Sequence, residues 1–234
     1  VTEQQPLPGG FVTEVVRVGD TVRRRPAPPF VHRLLDHLAD WPGAPRFLGI
    51  DEQGREILTF VDGAVPWQSP LRSLESLTGV ARLVREFHDR TAGTALAGAE
   101  EVVCHNDLSP KNTIYRGQQP IAFIDWDIAA PGARIHDVAH VCWQYLGLGP
   151  SVTNVAETAG LLRLICDTYG EIDSTQLVDT ILWWQDRCWR GIESAAAAGH
   201  PAMIRLRDAD VPADVRAAYD WTVRHRATLD SALR

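Results

Sequence analysis

With 234 residues, 45% of them apolar and 23% charged, the chain is long enough to bury a core and has the composition of a globular protein. Its formal net charge of -7, from 23 basic and 30 acidic residues, argues against sequence-independent nucleic-acid binding, which needs clustered cations against phosphate. No stretch approaches the roughly 20 apolar residues of a membrane span, and the opening VTEQQPLPGG lacks the basic region and apolar run of a secretory signal, so a cytoplasmic location is expected.

In chain order, residues 12–18 and 21–25 flank a Gly19-Asp20 turn and read as a hairpin. Residues 30–41 place Val31, Leu34, Leu35 and Leu38 at helical spacing, and 46–50 with 55–61 form a second strand pair around a 51–54 turn. Residues 61–69, which include Gly63 and Pro66, read as a linker. The pattern then turns helical. Ser69 and Pro70 suit the cap and first turn of a helix running to Gly93, with Leu71, Leu74, Leu77, Ala81, Val84 and His88 on one face. Short strands are expected at 102–104, 113–116 and 121–124, and helices at 137–146, 155–169, 174–198 and 212–233. Gly147, Gly170 and Gly199 stand where helix C-terminal caps belong. The chain thus divides into a β-rich part, 1–62, and a mainly helical part, 63–234. Cys104, Cys142, Cys166 and Cys188 show no C-x-x-C spacing, which points to buried thiols instead of a zinc site or a disulfide framework.

The densest polar cluster is His105-Asn106-Asp107-Leu108-Ser109-Pro110-Lys111-Asn112, followed after one hairpin by Ile124-Asp125-Trp126-Asp127. Phosphoryl transfer has a loose transition state, so a protein mainly positions groups and neutralises charge; it needs a carboxylate near the attacking hydroxyl and oxygen ligands for magnesium. Asp107 follows a strand, Asn112 enters the next one and Asp125 ends its hairpin partner, so pairing could bring Asn112 and Asp125 to one metal.

At these residues the chain resembles the aminoglycoside phosphotransferase and choline kinase family, relatives of the protein kinases. That family's catalytic loop reads H-x-D-x-x-x-x-N and is followed by a strand ending in I-D-[WF]-[ED]; both patterns match here, in order. The resemblance implies a two-lobed, protein-kinase-like α+β fold with a small nucleotide-binding lobe at 1–62. It implies transfer of the γ-phosphate of ATP or GTP to the hydroxyl of a small molecule, an aminoglycoside or another natural product among the options, with antibiotic resistance as one role. Asp107 would orient or deprotonate the hydroxyl, Asn112 and Asp125 would hold magnesium, and Ser109 would lie near the transferred phosphate. Gly10, in Gly9-Gly10, resembles the family's glycine turn over phosphate, and Phe60 begins a segment resembling the hinge that meets the purine. His105 reads as structural, bonding backbone near the loop.

The family's sheet lysine, which grips the α and β phosphates and pairs with a helix glutamate, has no counterpart. Lys111 is the single lysine, beside Asn112, and the sheet carries Arg23, Arg24 and Arg25 instead. Strand alternation sets Arg24 on the face of Val22, away from its neighbours, so it stands either as the phosphate contact or as part of a solvated arginine edge. The first helix offers His32 and Asp36 where the glutamate would be sought. Asp127, Asp186 and Glu193 could receive a cationic substrate or could form a solvated face, and Trp183, Trp184 and Trp189 share a helix with two of them. Asp137 serves as a helix cap or braces the catalytic loop. The altered lysine and glutamate motivate a rival reading, a catalytically impaired, kinase-like nucleotide-binding protein; a metal-dependent phosphohydrolase ranks below both.

Overall fold

A computed structural model describes residues 4–7, 15–66 and 71–234, which divide into two compact units, Val1–Ala133 and Arg134–Arg234. In the first, β1 (Gln4–Pro6), β2 (Val16–Val18), β3 (Thr21–Arg24), β4 (Phe47–Ile50) and β5 (Glu56–Thr59) form one antiparallel sheet in the order β1-β2-β3-β5-β4. The expected hairpin is β2 and β3, closed through Gly19 at φ 61°. β1 was not anticipated: it is polar and exposed, and joins as an edge strand, where Pro6 is tolerated. Gly9 and Gly10 lie outside the described residues. Because β3 pairs with β5, the register sets Arg24 directly opposite Glu56.

Helix α1 (Pro29–His37) starts with proline in its first turn and buries Val31, Leu34 and Leu35, as the spacing predicted. Helix α2 (Leu74–Thr91) begins later than expected. Ser73 is its cap, accepting from the Ser76 N–H, and Leu74 is 62% exposed because it occupies the first turn before the buried stripe of Leu77, Val80, Ala81, Val84 and Phe87. Ser69 and Pro70 lie outside the described residues. Strands β6 (Val102–Cys104) and β9 (Ala130–Gly132) pair with each other, and β7 (Thr113–Arg116) with β8 (Gln119–Phe123). β9 was missed, since Ala-Pro-Gly carries no strand signal and is held only by its partner.

The sequence boundary at 62/63 does not coincide with the boundary between units, because the segment that follows the sheet is stitched to the β7–β8 hairpin. Ala64 and Tyr115 exchange backbone hydrogen bonds of 2.9 and 2.8 Å, and the Phe123 N–H donates to Gly43 O at 2.9 Å. Gly63 permits this approach: a Cβ there would lie 2.4 Å from Ile114 Cγ2 and 2.8 Å from the Tyr115 carbonyl oxygen.

The second unit contains α3 (Arg134–Leu146), α4 (Val155–Tyr169), α5 (Leu177–Ala197), α6 (Pro201–Asp208) and α7 (Val211–Ala232). Gly147, Gly170 and Gly199 take positive φ at 61°, 73° and 87°. α5 packs on α3, α6 and α7, and α4 on α7. The core is the stripe of Val178, Ile181 and Ile192 on α5 with Ala218, Trp221 and Leu229 on α7. α6 was not foreseen because its eight residues bury none of their number and carry no apolar stripe. Asp137 lies within the first turn of α3, fully buried. None of the four cysteines forms a disulfide, and three of them are buried. No helix among the described residues is long and apolar enough to cross a membrane.

Gly63→Ala should lower the melting temperature by roughly 3–10 °C, because an added Cβ must push against backbone and overpacking costs about 1–3 kcal/mol. Calorimetric melting checks this; an unchanged midpoint would show that the close approach is dispensable.

Candidate active site

The polar cluster is assembled by two pairs of short strands. β6 and β9 pair Cys104 with Ala130, so the loop that leaves β6 at His105 runs beside the one that enters β9. In the β7–β8 hairpin Thr113 faces Phe123, and the Ile124 N–H donates to Asn112 O at 2.9 Å, which carries the ladder one step past the strands. Asn112 and Asp125 therefore flank the open end of one hairpin.

His105, fully buried, joins the two loops. Its Nδ1 accepts from the Asp107 N–H at 3.3 Å, so the proton resides on Nε2, which lies 3.1 Å from Ile124 O. The ring rests 4.5 Å from that of Trp126, whose indole N–H donates to Phe123 O at 3.0 Å. Each loop carries one left-handed residue, Asn106 at φ 66° and Asp125 at φ 64°. Asx side chains tolerate that region best, and the Asn106 amide bonds Ile128 O at 3.0 Å across the loops.

Asn112 donates through Nδ2 both to the Asp107 backbone oxygen at 2.9 Å and to its carboxylate at 2.7 Å. Both amide hydrogens are thus committed to Asp107, leaving the carbonyl end of Asn112 as a ligand oxygen. Burial pushes the Asp107 carboxyl above its ordinary range; the Lys111 charge and the Asn112 bond pull the other way, and the Asp125 charge adds to the rise. Ser109 is 1% exposed and, among the described residues, its hydroxyl has no hydrogen-bond partner. The Asp125 side chain is half exposed.

Arg24 ties this cluster to the sheet. Of the three arginines on β3 and just beyond it, Arg24 is buried, Arg23 turns to Asp51 at 3.6 Å and Arg25 is exposed. Its Nε donates to Glu56 Oε1 at 2.5 Å, Nη1 to Asp125 Oδ1 at 3.0 Å and Nη2 to Asp127 Oδ1. Burial alone would weaken the guanidinium's hold on its proton, but Asp127, Glu56 and Asp125 together outweigh it and raise the pKa. Asp127 is shifted up by burial against the pull of Arg24. Glu56, entirely buried, also takes the Ala27 N–H at 2.9 Å and lies 2.7 Å from His32 Nε2, both through Oε2. The glutamate sought on the first helix is thus supplied by a strand; His32 joins it from α1, and Asp36 points to solvent.

Phe60 stacks under the Arg17 guanidinium, 3.7 Å from the ring centroid, and its N–H donates to Asp20 O at 2.9 Å. Asp186 and Glu193 belong to the second unit, where Arg190 takes both Asp186 oxygens at 2.7 and 2.9 Å and Arg216 takes Glu193 at 3.3 Å. Neither is a spare charge. On the same helix Trp184 is core and donates to His136 O at 2.7 Å, Trp183 is 45% exposed, and Arg190 and Arg216 each lie 4.2 Å from the Trp189 ring. Sequence reasoning missed Glu56, and the available signal was an acid on the inward alternation of a strand otherwise lined by Leu58.

Arg24→Met should destabilise the protein by about 3 kcal/mol, because it leaves a fully buried carboxylate without its cation, whereas Arg23→Met and Arg25→Met should stay within about 1 kcal/mol. Chemical denaturation of the three variants measures this. Equal losses would mean that Arg24 acts only through general charge.

The model of the phosphotransferase enzyme family matches residues 72–171, the segment containing Asp107, Asn112 and Asp125. Across 97% of this chain and 97% of the relative, the sequence is 28% identical to the trifolitoxin immunity protein of Rhizobium leguminosarum bv. trifolii. Among solved structures, the macrolide 2'-phosphotransferase MphH from Brachybacterium faecium superposes with a TM-score of 0.62 at 16% identity, covering 94% of this chain and 91% of that one. A choline/ethanolamine kinase family protein from Mesorhizobium loti gives 0.61 at 15% identity over 98% and 92%, and the amicoumacin kinase hAmiN gives 0.65 at 10% identity over 82% and 81%. The similarity to the phosphotransferase enzyme family thus covers residues 72–171, and the fold is the kinase-like α+β architecture of an amino-terminal antiparallel sheet followed by a mainly helical remainder.

Proposed function

We propose that the protein transfers the γ-phosphate of ATP or GTP, with magnesium, to a hydroxyl group of a toxic or antibiotic small molecule. One observation carries this reading: the amide hydrogens of Asn112 lock the Asp107 carboxylate in place while its carbonyl oxygen and the half-exposed Asp125 carboxylate remain as hard oxygen donors beside it. The donor set suits a divalent cation. One guanidinium faces three carboxylates around Arg24, so the cluster keeps two negative charges in excess. Bound there by Asn112 and Asp125, magnesium would neutralise charge on the triphosphate oxygens. The unpartnered Ser109 hydroxyl is a donor of the kind a phosphate oxygen accepts.

In the transfer, the acceptor hydroxyl oxygen forms a bond to the γ-phosphorus as the bond from that phosphorus to the β,γ-bridging oxygen breaks. The hydroxyl proton passes to Asp107, and the nucleoside diphosphate departs. Asp107 is suited to receive it, since burial raises its basicity above that of an ordinary aspartate. Arg24 is the sheet cation available to a phosphate. For the acceptor, the near full-length likeness to a protein named for immunity favours a protective role over housekeeping metabolism. Asp127, Asp186 and Glu193 could receive an ammonium group only by exchanging the arginine that each holds.

The engagement of every Arg24 nitrogen by a carboxylate favours a second reading, a kinase-like protein that binds nucleotide without turnover. A mass-resolved screen of hydroxyl-bearing antibiotics and toxins with magnesium and either nucleotide separates the two. Asp107→Asn should keep nucleotide affinity and lower kcat by about 10²–10⁴, with little change in KM. Transfer at the wild-type rate would remove Asp107 from the mechanism. Asp125→Ala should abolish the magnesium dependence of nucleotide binding, and because it also removes a partner of Arg24 and sets alanine at φ 64°, the melting temperature should fall by a few degrees with the fold retained; titration calorimetry with and without magnesium reads the first effect directly. Binding without phosphate gain across the panel favours the binding protein.

A further inference from the structure

We propose that Glu56 is the positioning residue that makes Arg24 serve in place of the absent sheet lysine, with His32 and the Ala27 backbone holding Glu56 in turn. The inference rests on the phosphotransferase reading. Nothing in the family match reaches this residue, because residues 72–171 exclude both Arg24 and Glu56.

An arginine on a strand can swing through several rotamers, and a guanidinium that must meet a triphosphate needs its direction fixed beforehand. Glu56 fixes it from across the ladder. The two residues are direct cross-strand partners, and Glu56 Oε1 takes Nε, the nitrogen nearest the backbone, at 2.5 Å. Both terminal nitrogens then project toward the metal loop, one to Asp125 at 3.0 Å and the other to Asp127. Glu56 is itself immobilised, since Oε2 receives the Ala27 N–H at 2.9 Å and lies 2.7 Å from His32 Nε2. The His32 ring is in turn stacked on Phe47 at 4.0 Å, with an interplanar angle of 9°. A chain of fixed contacts therefore runs from α1 and β4 through Glu56 to the guanidinium. Glu56 itself touches neither metal ligand; in the structure it acts through Arg24.

The test is a double-mutant cycle on the full chain, with binding of magnesium-ATP and magnesium-GTP by calorimetry as the readout and melting temperature beside it. Glu56→Gln keeps shape and removes charge. It should weaken nucleotide binding about tenfold, the scale of one charge-assisted hydrogen bond. Combined with Arg24→Met it should weaken binding no further than Arg24→Met alone. A second variant covers failure of Glu56→Gln to fold: His32→Ala removes a partly exposed partner of Oε2, and should weaken binding severalfold in wild type and not at all beside Arg24→Met. Losses that add fully to that of Arg24→Met, or a Glu56→Gln variant that binds as wild type does, overturn the inference alone. A wild type that binds neither nucleotide overturns the phosphotransferase reading and the inference with it, while the melting cycle still reports whether Arg24 and Glu56 are coupled.

Discussion

One guanidinium group shared among three carboxylates organises the first unit. Arg24 reaches Glu56 on its own sheet and Asp125 and Asp127 on the loop after β8, so the relative placement of sheet and loop is written into a single side chain. At Glu56 the environment is dry, which strengthens that attraction and makes its loss costly, whereas the Asp125 end is half exposed. With two negative charges left over, the arrangement does not neutralise itself. That residual demand for a cation is the ground on which a magnesium-bearing ligand is proposed at this end of the hairpin.

The geometry of the candidate site depends on backbone more than on side-chain packing. His105 ties the N–H of Asp107 to the carbonyl of Ile124, and the Asn112–Ile124 bond extends the hairpin between the two loops. A neutral imidazole donates at one nitrogen and accepts at the other, so it can bridge an N–H and a C=O without burying charge. Asp107 and Asp125 are thereby held on adjoining loops, and the Asp125 charge adds to the cost of ionising Asp107. The left-handed backbones at Asn106 and Asp125 belong to the same economy, since both loops must turn sharply straight out of a strand.

The legible parts of this structure were those with local signatures. Helix α4 could be read to its ends because its apolar period and the Gly170 cap lie within one stretch of chain, and the two motif loops were readable because their polar residues are contiguous. Non-local features were not legible. Glu56 gains its meaning only from the β3–β5 pairing, which places a residue from one hairpin opposite a residue from another, and β9 is a strand only because β6 lies beside it. The start of α2 was displaced because Ser69-Pro70 and Ser73 both offer cap chemistry, and local propensity does not choose between them. Among the arginines, alternation singled out Arg24, while the three carboxylates that surround it came from positions 32 to 103 residues away.

If Arg24 serves as proposed, the use of an arginine in place of a lysine would account for a carboxylate partner that comes from a strand and not from a helix. An ammonium group carries its donors at the tip of the side chain, so a partner carboxylate can approach from a neighbouring helix and meet it end-on. A guanidinium has one donor, Nε, set back toward the strand, and two nitrogens at the tip. If the tip nitrogens are to face phosphate or metal-loop carboxylates, the anchoring acid must take Nε from the side. The residue best placed for that is the cross-strand neighbour, which in this sheet is Glu56. The helix position is then released from carrying an acid, and His32 stands there as a neutral-capable partner to the far oxygen of the same carboxylate. On the proposed role of Arg24, the cross-strand Glu56 and the α1 histidine would serve one geometric requirement, the fixing of Nε from the side.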